Sequence, residues 1–359
     1  MSDIVFILGA GASQKAGVPL MNDFLDKAHI LWKTKMISDA DEEFQKLFDG
    51  ISELQKVHSK SQLDIQNVES VFSAFEMANI LKKFSDYTET QINELNMSII
   101  TLIVKTVEQT LKIPLVEYKL YPPDPYFNFI NLIKTIQEEI KSNISIITFN
   151  YDMSLEISFH HFQIPITYSL KNNQEKEGIP LLKLHGSINW GLCAKCNEII
   201  PWHLEQYLRD CRLMKPLKPN LGFLPIGSKI IDLTHCNEHV KAEPVVIPPT
   251  WNKVHYYKSL SYVWERAAKE LSEAENIFII GYSLPESDLF FRYLYALGTV
   301  GKAPLKKFYV INPDGSNEIV NRFNNLLGPG AIQRFKYFPL TFEHGISEIS
   351  NAIFSSYSL

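Results

Sequence analysis

Five groups of residues in this chain have types and spacings that chemistry can use, four of them just past apolar runs. Gly9-Ala10-Gly11-Ala12-Ser13 follows the run Ile4 to Leu8. Without β-carbons, Gly9 and Gly11 permit a tight turn and the approach of a diphosphate to backbone amides, and a following helix offers N–H groups to its charge. The third glycine of a full dinucleotide fingerprint is missing and no acid closes a second strand, so the pattern also serves as a structural turn. Asn150 and Asp152 stand past Ile144 to Phe149. The Asn150 amide suits ribose hydroxyls or a water, Asp152 can brace a loop, and an Asx turn is the plainer alternative. His185 follows Leu181 to Leu184 and precedes Gly186. A general base works at such a place, and a structural histidine fits it equally. Gly281-Tyr282-Ser283 and Asn312 follow Ile277 to Ile280 and Phe308 to Ile311, where Ser283 can bond a ribose or phosphate and Asn312 an adenine ribose.

The fifth group is the cysteines. Cys193 and Cys196 have the C-x₂-C spacing of two zinc ligands on one turn. Cys211 and Cys236, or His235 or His239, would complete a site, and four reduced thiols are the alternative. All four cysteines lie between positions 193 and 236, too few and too local for a disulfide scaffold in 359 residues.

The elements that must position these groups read as an α/β chain. Nearly all-apolar runs at Ile4 to Leu8, Ile144 to Phe149, Leu181 to Leu184, Ile277 to Gly281 and Lys307 to Ile311 are expected to be buried parallel strands, with shorter strands at Ile164 to Tyr168 and Pro244 to Ile247. Helices are expected at Ala12 to Trp32, Tyr126 to Lys141, Lys253 to Ala274 and Ser287 to Leu297. Alternation of this kind implies a parallel sheet covered on both faces. Between Ser38 and Leu111 apolar residues such as Val68, Val71, Phe72 and Phe75 return at helical spacing, which predicts a helical insertion ended by Pro114 and the proline-rich run Tyr121 to Pro125. The region Gly191 to Val240 has no sustained period and is expected to be a small loop-rich module.

Composition narrows the function. With 45% apolar and 21% charged residues the chain is globular, and a formal charge of −5 from 35 basic and 40 acidic side chains argues against direct nucleic-acid binding. No run approaches eighteen apolar residues and the first residues lack a leader's basic and apolar regions, so a soluble, cytoplasmic protein without a membrane span is expected.

Taken in order, Gly9 to Pro19, Thr148-Phe149-Asn150-Tyr151-Asp152, Leu184-His185-Gly186, Gly281-Tyr282-Ser283 and Val310-Ile311-Asn312 resemble the NAD-binding core of the sirtuin family, and more closely the bacterial SIR2-like group of antiphage defence. The resemblance implies a Rossmann-like sheet of the sirtuin type, with a SIR2-like domain from 1–37, 126–190 and 241–359. Residues 38–125 would be the helical insertion and 191–240 a small zinc-binding module. It implies that Gly9, Ala10, Gly11, Ala12 and Ser13 lie at the NAD phosphates, Asn150 and Asp152 near the nicotinamide ribose, and Gly281, Ser283 and Asn312 at the adenosine. His185 would be the catalytic histidine. Cys193 and Cys196 fall where sirtuins place their first zinc-ligand pair, with Cys211 and Cys236 as the remaining cysteines, not closely paired.

Two departures bear on reaction type. Gly17-Val18-Pro19 is followed by Leu20-Met21-Asn22-Asp23, where deacylating sirtuins carry a Phe-Arg pair, and Val245-Val246-Ile247-Pro248-Pro249-Thr250 replaces the strand that clamps an acyl-lysine peptide. Prolines remove backbone donors from such a strand. The resemblance therefore points to NAD hydrolysis into nicotinamide and ADP-ribose by Asn150 and His185. Protein deacylation and a non-catalytic NAD- or ADP-ribose-sensing subunit are the alternatives. It further implies an antiphage effector that forms a homo-oligomer and works with a separately encoded partner such as an ATPase.

Overall fold

Every side chain of Ile4–Leu8 is buried, the mark of a strand covered on both faces. In the computed structural model, which describes residues 3–56, 63–117, 119–171, 177–211, 220–249, 254–285, 288–299, 301 and 303–355, this strand is β1, and a short helix α1 (Ala10–Ser13) follows it. The helix expected from Ala12 to Trp32 is interrupted. Gly17 turns the chain at φ +101°, Pro19 lacks a donor, and α2 begins only at Phe24 and runs to Lys33.

The insertion is helical as expected: α3 (Asp41–Lys56), α4 (Val68–Leu81) and α5 (Glu89–Thr110). α4 starts on an Asn67 cap and α5 on a Thr88–Gln91 capping box. Past it come two short strands that the proline pattern hides, β2 (Ile113–Val116) and β3 (Lys119–Leu120), then α6 (Tyr126–Thr135), whose last turns continue in a π-helical stretch to Ile140. β4 (Ile144–Thr148), α7 (Ser154–His161), β5 (Ile166–Thr167) and β6 (Ile179–Lys183) follow.

The cysteine-bearing region is more ordered than its sequence predicts. β7 (Gly186–Cys193), β8 (Ile199–Pro201), β10 (Thr234–His235) and β11 (Glu238–Val246) form an antiparallel sheet in the order β10-β11-β7-β8, while α8 (Leu204–Asp210) and β9 (Leu221–Gly222) lie between them in sequence. β7 is buried almost throughout and β11 shifts register twice against it, so neither displays a clean period of two.

The last third brings α9 (Val254–Glu273), β12 (Asn276–Ile280), α10 (Leu289–Gly298), β13 (Lys307–Ile311), α11 (Asn317–Leu326), α12 (Pro329–Ile332), β14 (Phe335–Phe338) and α13 (Phe342–Phe354). Thr250, Lys253 and Ser287, named in the sequence reading, lie outside the described residues.

The expected α/β architecture is borne out by a seven-stranded sheet, parallel throughout, in the order β14-β13-β12-β1-β4-β6-β5. From β1 the chain builds outward through β4, then returns to β12 on the other side and builds away again. The direction of winding reverses beside β1, and at such a point the carboxyl ends of the strands open a crevice. Register makes the opening level: Leu8 stands opposite Thr148 and Ile280, Thr148 opposite Lys183, and Ile280 opposite Ile311. Among the described residues no helix is long and apolar enough to cross a membrane.

Candidate functional site

Because five strands end at one level, the residues just beyond them emerge side by side. A cavity of about 460 Å³ opens there, and its wall includes Ala10, Gly11, Asn150, Asp152, His185, Gly281, Ser283 and Asn312. The structure thus gathers the sequence-selected positions from the ends of β1, β4, β6, β12 and β13 into one place.

The glycines are held in a close contact between two backbones. The Gly9 amide donates to Ile280 O at 3.0 Å and the Gly11 amide to Gly281 O at 2.8 Å, so both are engaged by the end of β12. A β-carbon on Gly9 would lie 2.7 Å from Gly281 O, and one on Gly281, where φ is +61°, would lie 2.3 Å from the Ala12 nitrogen. These residues are glycines because two backbones touch. Only Ala10 and Gly11 of the turn face the cavity; Gly9, Ala12 and Ser13 stand behind them.

Ser13 is fully buried and organises the floor. Its hydroxyl donates to Asp152 Oδ2 at 2.7 Å, and it lies 2.7 Å from the Tyr126 hydroxyl. Asn150 Nδ2 donates to Ser13 Oγ and to Gly9 O, both at 3.0 Å. The other Asp152 oxygen accepts from the Ser154 amide at 2.8 Å and so begins α7. Asp152 therefore braces, as the loop alternative held, while still bordering the cavity. Burial, with the Asp152 carboxylate adding, holds the Tyr126 phenol well above its ordinary range, so it stays neutral. Asn312 is similarly occupied: it accepts from the Asp314 amide at 3.0 Å and its amide lies 3.4 Å from Tyr282 O.

Beneath the floor, Lys183 is almost wholly buried. Its ammonium donates to Asp152 O at 2.7 Å and to Glu156 Oε1 at 2.8 Å, an ion pair that ties β6 to α7 under the cavity. Breaking such a pair leaves an uncompensated buried charge.

His185 is held by rings and by its own backbone. The Phe149 ring meets it edge-on with centroids 5.1 Å apart, Tyr151 lies near parallel at 6.4 Å, and the Ile247 amide donates to His185 O at 2.9 Å. Asp288 Oδ1 lies 3.7 Å from His185 Nε2, and Tyr282 donates to Asp288 Oδ2 at 3.0 Å. Burial, then the Asp288 carboxylate, raises the Tyr282 phenol well above its ordinary range.

Sequence reasoning missed Asp288, Tyr282 as a hydrogen-bond donor, and the contribution of the insertion. Asn67 and Glu69 of the α4 region and Val107 of α5 complete the wall. Only an acid directly before an apolar helical run, Asp288 before Leu289, gave any signal, and that signal is for a helix cap. The charged lining residues among those described are Glu69, Asp152, Asp288 and Asp314, with no lysine or arginine. The cavity therefore favours positive charge, and an anionic group there depends on backbone donors.

The candidate metal centre lies in the antiparallel sheet. Cys193, Cys196, His235 and Cys236 bring four ligand atoms within 4.8 Å of one another. Cys211 is not among them; it caps the end of α8 and packs against the core, and His235 takes the place expected of it. The Cys236 and Cys196 sulfurs stand 3.3 and 3.6 Å from His235 Nδ1. Ligand separations of about 3.5–3.8 Å follow from tetrahedral zinc bond lengths, so the donor set fits that ion. Backbone donation from Cys196, with the His235 ring adding, pulls the Cys193 thiol down to about 6.

No family model and no curated protein matches the chain. Among solved structures it is similar to a Sir2 homolog–NAD complex, at 14% identity over 99% of this chain and 90% of that one, with a TM-score of 0.42. A structure of Sir2 enzymes (13%, 99% and 94%, TM-score 0.43) and a Sir2 homologue mutant with ADP ribose (15%, 99% and 93%, TM-score 0.40) are comparable.

Proposed function

We propose that this chain is a SIR2-like NAD glycohydrolase that cleaves NAD to nicotinamide and ADP-ribose in the cavity at the strand ends. The observation that carries the proposal is the convergence of Ala10-Gly11, Asn150, His185, Ser283 and Asn312 on that one cavity, positions singled out by an ordered resemblance to the sirtuin NAD core. The diphosphate lies along Ala10-Gly11, and Ser283 and Asn312 border the adenosine half. The acidic lining favours the cationic nicotinamide riboside and the positive charge that develops on its ribose.

In the reaction the C1′–N bond breaks and its electron pair leaves with nicotinamide. A water oxygen bonds to C1′ while its proton passes to His185, directly or through a ribose hydroxyl. Asn150, fixed by Gly9 O and Ser13 Oγ, holds the ribose or the water in line.

Hydrolysis is favoured over deacylation of an acyl-lysine peptide because Pro244 stands within β11, Pro248 and Pro249 follow it, and the intervening Ile247 amide is engaged by His185 O. That segment has few donors to offer an extended peptide. The Cys193/Cys196/His235/Cys236 group would hold a zinc ion as a structural cross-link outside the cavity. The antiphage role, the homo-oligomer and an ATPase partner rest on the resemblance alone.

Incubating the purified chain with NAD and separating the products tests the proposal. Nicotinamide and ADP-ribose are expected in equal amounts, with release reduced at least ~100-fold in Asn150→Ala and His185→Ala. Activity unchanged in His185→Ala, or O-acyl-ADP-ribose formed from an acyl-lysine peptide in preference to ADP-ribose, would sink it.

A further inference from the structure

α10 begins with an anomaly. Asp288 is its N-cap residue, a position where an aspartate ordinarily accepts a hydrogen bond from the first helical amides. Here the side chain makes no capping bond. It turns into the cavity wall instead, with one oxygen 3.7 Å from His185 Nε2 and the other accepting from Tyr282 at 3.0 Å. Asp288 and His185 are 6% and 7% exposed, so the two groups face each other with little water between them.

We propose that Asp288 is the positioning residue for His185: it orients the imidazole and stabilises the imidazolium formed when His185 takes a proton during NAD cleavage. This rests on the reading of the cavity as an NAD-cleaving site. The surroundings fit the role. The Phe149 and Tyr151 rings limit rotation of the imidazole from the β4 side, and the Tyr282 hydroxyl fixes the far oxygen of the carboxylate from the end of β12. Phe149 and Tyr282 stack at 4.4 Å, which joins the two sides into one rigid wall.

The other charged groups lining the cavity are placed differently. Asp152 is bonded to Ser13 and the Ser154 amide, Glu69 enters from α4, and Asp314 accepts from the Ser316 amide beyond β13; Arg292, one turn along α10, does not line the cavity. Among the described residues Asp288 is the carboxylate paired with His185. A carboxylate at this distance favours the protonated ring, and a fixed carboxylate also selects the imidazole orientation that aims its other edge at substrate.

The test compares full-length wild type with Asp288→Asn, Asp288→Glu and Tyr282→Phe by two readouts. One is nicotinamide release from NAD against pH. The other is the NMR titration of the His185 ring, assigned by its loss in His185→Ala. In Asp288→Asn, kcat is expected to fall about 10- to 100-fold with KM within about threefold, and the ring to titrate about one pH unit or more lower than in wild type. Asp288→Glu is expected to recover part of both, and Tyr282→Phe to cost less than Asp288→Asn. An unchanged ring titration in Asp288→Asn overturns the proposal, whether activity is retained or is lost together with thermal stability. If wild type releases no nicotinamide, the NAD reading fails, and the titration still decides whether Asp288 controls His185.

Discussion

The strand-end edge of the parallel sheet and the cysteine–histidine group of the antiparallel sheet both join distant parts of the chain, by opposite means. At the edge, the Gly9 and Gly11 amides bond to Ile280 O and Gly281 O, and Ser13, Asn150, Asp152 and Lys183 beneath are hydrogen-bonded to one another. At the cysteine group, two turns bring four ligand atoms together, with Cys236 and Asn237 in the left-handed region at φ +54° and +63°. There Cys196 is exposed and contacts between the ligands are few. The edge is formed by folding itself, whereas the ligand group has the donor set of a metal site, which an ion would complete.

That contrast can be broken most forcefully from below the edge. Lys183→Met leaves the buried Glu156 carboxylate without its cationic partner, with the Tyr168 hydroxyl still donating to it, and removes a donor from Asp152 O, so a loss of about 3–5 kcal/mol is expected in denaturant unfolding. The cavity should lose its ligand affinity in the same variant. Stability close to wild type would show that the edge does not depend on this pair.

A smaller effect is expected at Glu108, which joins the insertion to the loop before β10. Its carboxylate accepts from the Gly227 and Ser228 amides at 2.7 and 2.9 Å and from the Ser228 hydroxyl, yet burial pushes its pKa up to about 7. The folded state thus binds a proton more tightly than the unfolded state between pH 4.5 and about 7. This contribution to stability is present below pH 4.5 and declines as pH rises toward 7. Unfolding measured across that window should show the decline in wild type, and Glu108→Gln should flatten it.

The smallest effect on the edge belongs to the ligand group. Zinc analysis is expected to give about one ion per chain, lost in Cys236→Ser, while the midpoint for ligand-induced stabilisation at the cavity stays near wild type. A Cys236→Ser variant that kept its zinc, or that lost the cavity with it, would erase the distinction between the two regions.

Much of the edge was legible in the sequence because buried parallel strands are nearly uniform apolar runs, and Ile4–Leu8, Ile144–Thr148, Asn276–Ile280 and Lys307–Ile311 are close to that limit. Polar residues just past such runs, Asn150 and His185 among them, could therefore be placed. The antiparallel sheet was not legible, since β7 is buried on both faces and β11 is bulged, and neither advertises its period. His235 rather than Cys211 joins the ligands because it sits on the tight β10–β11 hairpin, which the long-range pairing of β11 with β7 brings beside Cys193 and Cys196. Asp288 was missed for the same reason: only the meeting of α10 with the end of β6 gives it His185 as a partner.

The level register of the strand ends has a consequence for how this chain tolerates change. Asn150, His185, Ser283 and Asn312 are located by counting from the last residue of a strand, and the sheet sets all those last residues against one another. The connections play no part in that count. The one from β1 to β4 carries the entire helical insertion, the one from β12 to β13 a single helix, and lengthening a connection adds little closure entropy. Segments can be gained, lost or exchanged between strands while the reacting groups keep their spacing. The insertion is the exception: with Asn67, Glu69 and Val107 in the wall, replacing it would redraw what the cavity admits and leave its floor intact.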